Sequence, residues 1–249
     1  MPDLSRQWHG VFRASASNKM IPVLHRAQEK QAPIGIGVEI DVWMTTGLIA
    51  VVSHDSPTDA SKLLVNWLRD DVRVAGFRPL YAVNCKSDGL EESLRNAFDK
   101  FGVPRDRWFV FDCSYPSQRV FERAGLPFAE RVSEEEPWRG HSHRIWLDRW
   151  TWRDNGAAFT GPGLGIRRYP VPADAGVYLP YSMPAKRPGI FDGRKIEVHA
   201  VSMELHVTDT AEHERRNWWR WLFDEVKPMS VCTDYPEDLM QIWDEWQRG

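Results

Sequence analysis

Glu39 and Asp41 stand two residues apart in the run Gly37 to Val42, alternating with Val38, Ile40 and Val42. On a β-strand that spacing sends both carboxylates to one side and the aliphatic side chains to the other. Two carboxylates drawn together out of bulk water raise each other's pKa unless a cation neutralises them. The same pattern also describes the wet side of a half-covered sheet, but the apolar content of the strands around it favours burial on both faces. Thr45, Thr46 and Gly47 supply a turn, and apolar residues resume from Leu48 to Val52. If the chain doubles back about Thr46, position 39 faces position 54. His54 then lands beside Glu39 with Asp41 one pleat away, all within about 5 to 8 Å. A hard divalent ion is the economical partner for such a cluster.

Other residues carry possible chemistry. Asn84 and Lys86 follow the short apolar run Leu80 to Val83 and share a face by the period of two, at the kind of strand exit where barrel enzymes keep their sites. A polar strand end entering a loop reads the same way. His9 with Gly10 belongs to a first strand candidate, Gln7 to Phe12. His141-Ser142-His143 has a spacing that can hold a transition metal, although a loop histidine pair is the commoner meaning, and a zinc hydrolase built on His141, His143 and His206 is a third, distant hypothesis. Asn18 can cap a helix reaching about Gln31, which places His25 on a helix as a surface or core residue.

The elements that position these residues alternate strand and helix along the whole chain, predicting an α/β fold with a parallel sheet. A length of 249 residues suits one (β/α)8 TIM barrel filling positions 1–249. Nine strand-like runs compete for eight places, and Val177 to Leu179 is the one expected to fall outside. It lies in a Gly- and Pro-rich stretch, about 151–193, read as an insertion or lid. That stretch carries Arg167, Arg168, Lys186 and Arg187 as candidate anion contacts.

Composition narrows the function classes. A net charge of −3 supplies no general basic field for nucleic acid or an anionic membrane. Cys85, Cys113 and Cys232 are widely spaced and end apolar runs, arguing for buried thiols rather than a disulfide framework. No apolar run approaches 18 residues and the first residues form no signal sequence, so the expectation is a cytoplasmic protein without stable membrane insertion. Oligomeric state is not legible.

Taken together, these residues resemble the glycerophosphodiester phosphodiesterase family, within the phospholipase C-like phosphodiesterase barrels. There a His-Arg-Gly ends the first strand, E-x-D the second, His-Asp follows a short return, E-x-K ends the third strand and T-D-x-P the last. This chain shows His9-Gly10, Glu39-Ile40-Asp41, His54-Asp55, Asn84-Cys85-Lys86 and Thr233-Asp234-Tyr235-Pro236 in that order. The first motif lacks its Arg and the third acidic ligand is replaced by Asn84. The resemblance implies general acid/base cleavage of a small or lipid-derived phosphodiester by His9 and His54 with Lys86, assisted by Mg²⁺ or Ca²⁺ on Glu39, Asp41 and Asn84. A weakened barrel that binds a phosphorylated ligand or a protein partner is the alternative expectation.

Overall fold

The computed structural model of the chain describes residues 20–132, 141–148, 190–191, 194–195, 197–206 and 210–249. Short runs rich in Val, Ile, Phe and Trp form the strands, because branched and aromatic side chains suit a pleated, buried surface. In order they are β1 (Ile21–Leu24), β2 (Gly37–Met44), β3 (Ala50–Val52), β4 (Lys62–Leu63), β5 (Tyr81–Cys85), β6 (Trp108–Phe111), β7 (Glu130–Val132), β8 (Arg144–Leu147), β9 (Ile190–Phe191), β10 (Arg194–Lys195), β11 (Glu197–Val201) and β12 (Ser230–Thr233). Helices α1 (Leu64–Ala75), α2 (Glu91–Lys100), α3 (Tyr115–Arg123), α4 (Glu212–Trp221) and α5 (Pro236–Arg248) lie between and after them. None of the helices among the described residues is long and apolar enough to cross a membrane.

The sheet is parallel apart from its edge hairpin. β12, β1, β2, β5 and β6 are successive parallel neighbours, as are β7, β8, β11 and β12. Between β6 and β7 a single parallel bridge joins Val110 to Phe128, with Val110 N donating to Pro127 O at 3.1 Å and Ala129 N to Val110 O at 2.8 Å. β3 folds back antiparallel on the last residues of β2, Val42–Met44, beyond its pairing with β1, and β4 pairs antiparallel with β3. The strands come close at Gly37, where a Cβ atom would lie 3.1 Å from both Leu80 O and the Val23 side chain. Hydrogen there lets β1, β2 and β5 come together.

Side-chain alternation produces two kinds of core. Val38, Ile40 and Val42 of β2 pack with Leu64 and Leu68 of α1 and Leu94 and Phe98 of α2. Ile145, Val198 and Val231 pack with Trp218, Trp219, Ile242 and Trp243 of α4 and α5. The tryptophans of α4 are therefore buried packing residues. The opposite side of the strands supplies a separate cluster of Val23, Ala82, Phe109, Phe111, Trp146, Val201 and Cys232, to which no α-helix among the described residues contributes.

Two sequence expectations are corrected here. Over the described part of the helix expected from Asn18 to Gln31, residues 20–31, the chain is instead β1 followed by turns. Ile21-Pro22-Val23-Leu24 is a strand because β-branched residues flank a proline that tolerates an edge: β2 joins β1 only from Val23 onward. The hairpin register also differs by one residue. Val42 pairs with Val52 and Trp43 with Val51, so Ser53 N reaches Asp41 O at 3.1 Å and His54 belongs to Asp41 rather than Glu39. The turn is one residue wider than a pivot at Thr46 allows, with Leu48 at φ 58° absorbing it.

Candidate active site

Glu39 and Asp41 are 2% and 1% exposed, on the side of β2 that faces away from the helices. Register sets their neighbours: Glu39 lies beside Ala82 and Asp41 beside Asn84 of β5. Lys86, one residue past β5, continues the same side and puts its Nζ 3.0 Å from Asp41 Oδ1. The other carboxylate oxygen of Asp41 lies 3.0 Å from His54 Nδ1 and accepts from Gln28 Nε2 at 2.7 Å. A single buried carboxylate thus orients an imidazole and fixes an ammonium.

Glu39 meets the other side of the site. Arg26 N donates to Glu39 Oε2 at 2.8 Å, from a backbone held at φ 51°, and Ala27 N donates to the Glu39 carbonyl at 2.9 Å. Burial, and then the charge of Asp41, push the Glu39 carboxyl up to about 8, against the Arg26 hydrogen bond and the charges of Lys86 and Arg26. Arg26 Nε is buried without a hydrogen-bond partner, a donor aimed at nothing the described residues supply.

His25 stands at the exit of β1. Its backbone N donates to Thr233 O at 3.0 Å, and its Nδ1 lies 3.1 Å from Asp234 Oδ1, an oxygen that Lys30 Nζ also reaches at 2.5 Å. Burial raises the Asp234 carboxyl, and the hydrogen bonds of His25 and Lys30 outweigh it, holding it down at about 2. Glu204, on the 3₁₀ turn after β11, accepts from Thr233 Oγ1 and more distantly, at 3.4 Å, from Asp234 N. Its second oxygen accepts from Ser202 Oγ, which takes a 2.8 Å hydrogen bond from Trp219 Nε1. Burial raises the Glu204 carboxyl against those hydroxyl contacts.

The structure therefore brings together Glu39, Asp41, His54, Asn84 and Lys86. His9 lies outside the described residues, as do Arg167, Arg168, Lys186, Arg187 and Val177 to Leu179. Among the described residues the first parallel strand is β1, and the dipeptide at its end is His25-Arg26. A four-residue apolar run, IPVL, directly before a His-Arg was the signal in the sequence. Arg26, Gln28, Lys30 and Glu204 were not distinguishable from surface residues by pattern.

The donor set bears on a metal. Among the described residues no group of three His, Cys, Asp or Glu side chains is placed to hold one, which removes the trio His141, His143 and His206. His141 instead meets Arg119 Nη1 at 3.2 Å, and His206 pairs with Asp148. At the Glu39–Asp41 pair the third oxygen is an amide: Asn84 Oδ1 is buried and has no hydrogen-bond partner among the described residues. An orphaned oxygen on the residue in register with Asp41 fits a hard cation.

No family model matches the chain and no curated protein does. Solved structures do. A glycerophosphodiester phosphodiesterase from Parabacteroides distasonis ATCC 8503 superposes with a TM-score of 0.55 at 14% identity, over 91% of this chain and 97% of that one. A glycerophosphoryl diester phosphodiesterase from the same organism gives 0.54 at 11% identity, over 93% and 88%. The enzyme from Agrobacterium tumefaciens str. C58 gives 0.52 at 11%, over 91% and 100%. What the chain shares with them is a fold. At these identities the similarity covers the whole architecture and leaves the chemistry to be argued from the residues of this chain.

Proposed function

We propose that this chain is a phosphoric diester hydrolase on a (β/α)8 barrel, cleaving a small or lipid-derived phosphodiester by general acid/base catalysis. Support for the closed barrel comes from neighbour relations that run from β1 through β2, β5 and β6, across the Val110–Phe128 bridge, and back through β7, β8, β11 and β12 to β1. The inner cluster drawn from β1, β5, β6, β8, β11 and β12 points the same way.

The observation that carries the catalytic reading is the pair of carboxylate-oriented imidazoles flanking Glu39: His25 on Asp234 and His54 on Asp41. Each has Nδ1 engaged, leaving Nε2 for chemistry. One imidazole takes the proton from the attacking oxygen, a water or a hydroxyl of the substrate itself, and the other protonates the departing oxygen. Arg26 and Lys86 place positive charge where the non-bridging oxygens of the phosphate would lie. Lys86 is held by Asp41 and so arrives preorganised.

Mg²⁺ or Ca²⁺ would be held by Glu39, Asp41 and the orphaned Asn84 Oδ1. When bound, it offsets charge on the phosphoryl oxygens. An amide in place of a third carboxylate lowers the affinity of such a site.

Purified protein with Mg²⁺ or Ca²⁺ is expected to hydrolyse bis(4-nitrophenyl) phosphate, and His54→Ala and His25→Ala each to abolish turnover. Hydrolysis that persists in both variants would sink the assignment.

A further inference from the structure

We propose that Leu48 and Ile49, at the apex of the β2–β3 hairpin, are a lipid anchor that seats the mouth carrying His25, His54 and Lys86 on a zwitterionic phospholipid surface. Attachment of this kind goes beyond hydrolysis and does not depend on it.

The hairpin rises on the side of the proposed chemistry. Its foot is at the level of Asp41, where Ser53 N donates to Asp41 O at 3.1 Å and His54 follows with its ring on the Asp41 carboxylate. Met44, three residues past Asp41, lies about 10 Å further along the strand, and the apex lies beyond Met44. Leu48 is 78% exposed there and Ile49 51%. The positive φ of the turn, 58°, falls on Leu48 rather than on Gly47 beside it. Left-handed backbone is costly for a bulky side chain, and one so exposed gains little from packing, so packing does not offset the strain. Strained backbone of this kind collects where side chains serve binding.

The apex also meets the demands of an apolar phase. From Val42 to Ser53 no side chain is charged, so entry strips no ion of its water. Thr45 N donates to Ile49 O at 3.0 Å, Leu48 N to Thr45 O at 2.9 Å and Ile49 N to Thr45 Oγ1 at 3.3 Å. These amides carry their partners with them, the condition for a polypeptide in lipid. Below the apex stands half-buried Trp43, its Nε1 donating to Ser53 O at 3.0 Å, at the level where an indole suits the interface. The charged residue of the flap above Asp41 is Lys62 on β4, in register with Val52 near the foot and 2.8 Å from Asp70.

Shape and charge choose lipid over protein. Two side chains on a convex apex cannot supply the roughly 800 Å² a side of a stable protein interface. A net charge of −3 and an uncharged apex favour a zwitterionic surface over an anionic one. Leucine and isoleucine together bring less apolar surface than a myristoyl chain, which binds at roughly 10⁴ M⁻¹. Attachment is therefore weak and reversible.

The test uses the full chain and sucrose-loaded phosphatidylcholine vesicles at up to about 10 mM lipid, enough to reveal constants well below that of a myristoyl chain. The parent is expected to sediment with the vesicles. Leu48→Asn, which suits the left-handed backbone and deletes the apolar group, should partition about tenfold less. Leu48→Gly should lose as much, and adding Ile49→Thr should lose more. His54→Ala should partition like the parent; a loss there moves the attachment into the mouth and overturns the anchor. In parallel, a polarity-sensitive fluorophore is placed on Thr46→Cys, since Cys85, Cys113 and Cys232 are buried and escape the label. Its emission should report water before lipid is added and shift to the blue with vesicles. A blue-shifted label without lipid means that protein covers the apex, the chain's own or a second copy, and overturns the anchor. So does partition unchanged in Leu48→Asn, binding confined to phosphatidylglycerol vesicles and abolished by salt, or no partition at all. If the parent partitions as described but cleaves no phosphodiester, the proposed function falls and the anchor stands; turnover without partition does the reverse.

Discussion

His54 Nδ1 lies 3.0 Å from Oδ2 of Asp41, a carboxylate 1% exposed. Lys86 occupies the other oxygen of the same group at 3.0 Å, so the imidazole has one orientation and one tautomer compatible with the contact. Asp41→Asn keeps the volume and replaces an oxygen by an NH₂ donor, which repels either the Nδ1–H or the ammonium. We expect kcat to fall by about 10² to 10⁴, the range of a lost acid/base catalyst, with His54→Ala falling as far. A parental kcat in Asp41→Asn would remove Asp41 from the mechanism.

Two histidines compete for the partner role, and one comparison decides between them. His25→Ala should lose activity as completely as His54→Ala, because His25 stands at the exit of β1 on Asp234. His9→Ala should retain at least about half of the parent kcat, outside the scale of a lost catalyst. The reverse outcome would return the first motif to His9.

The reason His25 escaped the sequence is local. Ile21 to Leu24 is four residues long and contains Pro22, and Asn18 offers a cap, so helix and strand patterns were both available over that span. The parallel pairing to β12 and β2 that settles it is nonlocal, and no period in the sequence reports it. Glu39 and Asp41 were legible because an acid pair is conspicuous against Val38, Ile40 and Val42. The reach of His54 was legible to within one residue, since register depends on the width of the Leu48 turn rather than on composition. Gln28 and Glu204 act through tertiary contacts, and a lone Gln or Glu on a turn carries no pattern at all.

Asn84 is the residue on which metal dependence turns. Its orphaned Oδ1 beside Asp41 gives a neutral third oxygen, so Asn84→Glu adds a charge to the donor set. The Mg²⁺ or Ca²⁺ concentration for half-maximal activity should drop roughly tenfold in Asn84→Glu, and a chelator should silence parent and variant alike. Full activity in the presence of chelator would sink the metal proposal.

Glu204 touches no reacting group in this scheme; it positions Thr233 and Asp234, and through Asp234 the ring of His25. Glu204→Ala should therefore lower kcat by about tenfold, the effect of a misaimed catalytic group, with KM within about twofold. The kcat–pH profile should move, while the stability of the fold changes little. Glu204→Asp should recover part of the rate. A variant with lowered melting temperature but an unmoved pH profile would show that the residue only holds the sheet together.

His199 fixes an acid limit on stability. Its ring lies buried with Nδ1 2.8 Å from Ser230 Oγ and its centroid 4.4 Å from that of Phe109, while Nε2 has no hydrogen-bond partner among the described residues. Burial, and then the charges of Arg144 and His143, press its pKa down to about 3. An exposed histidine titrates near 6.5. Above that pH the ring is neutral in both states and adds no pH dependence. As the pH falls from about 6.5 towards 3, the unfolded chain binds a proton that the folded one refuses, so stability declines by up to about 1.4 kcal/mol per pH unit. His199→Leu removes this titration. Its unfolding free energy from urea titrations between about pH 4 and pH 6 should lose up to one proton of slope relative to the parent, whatever the substitution does to stability at pH 7. An unaltered slope would mean that the ring takes its proton as readily in the folded sheet as in the open chain.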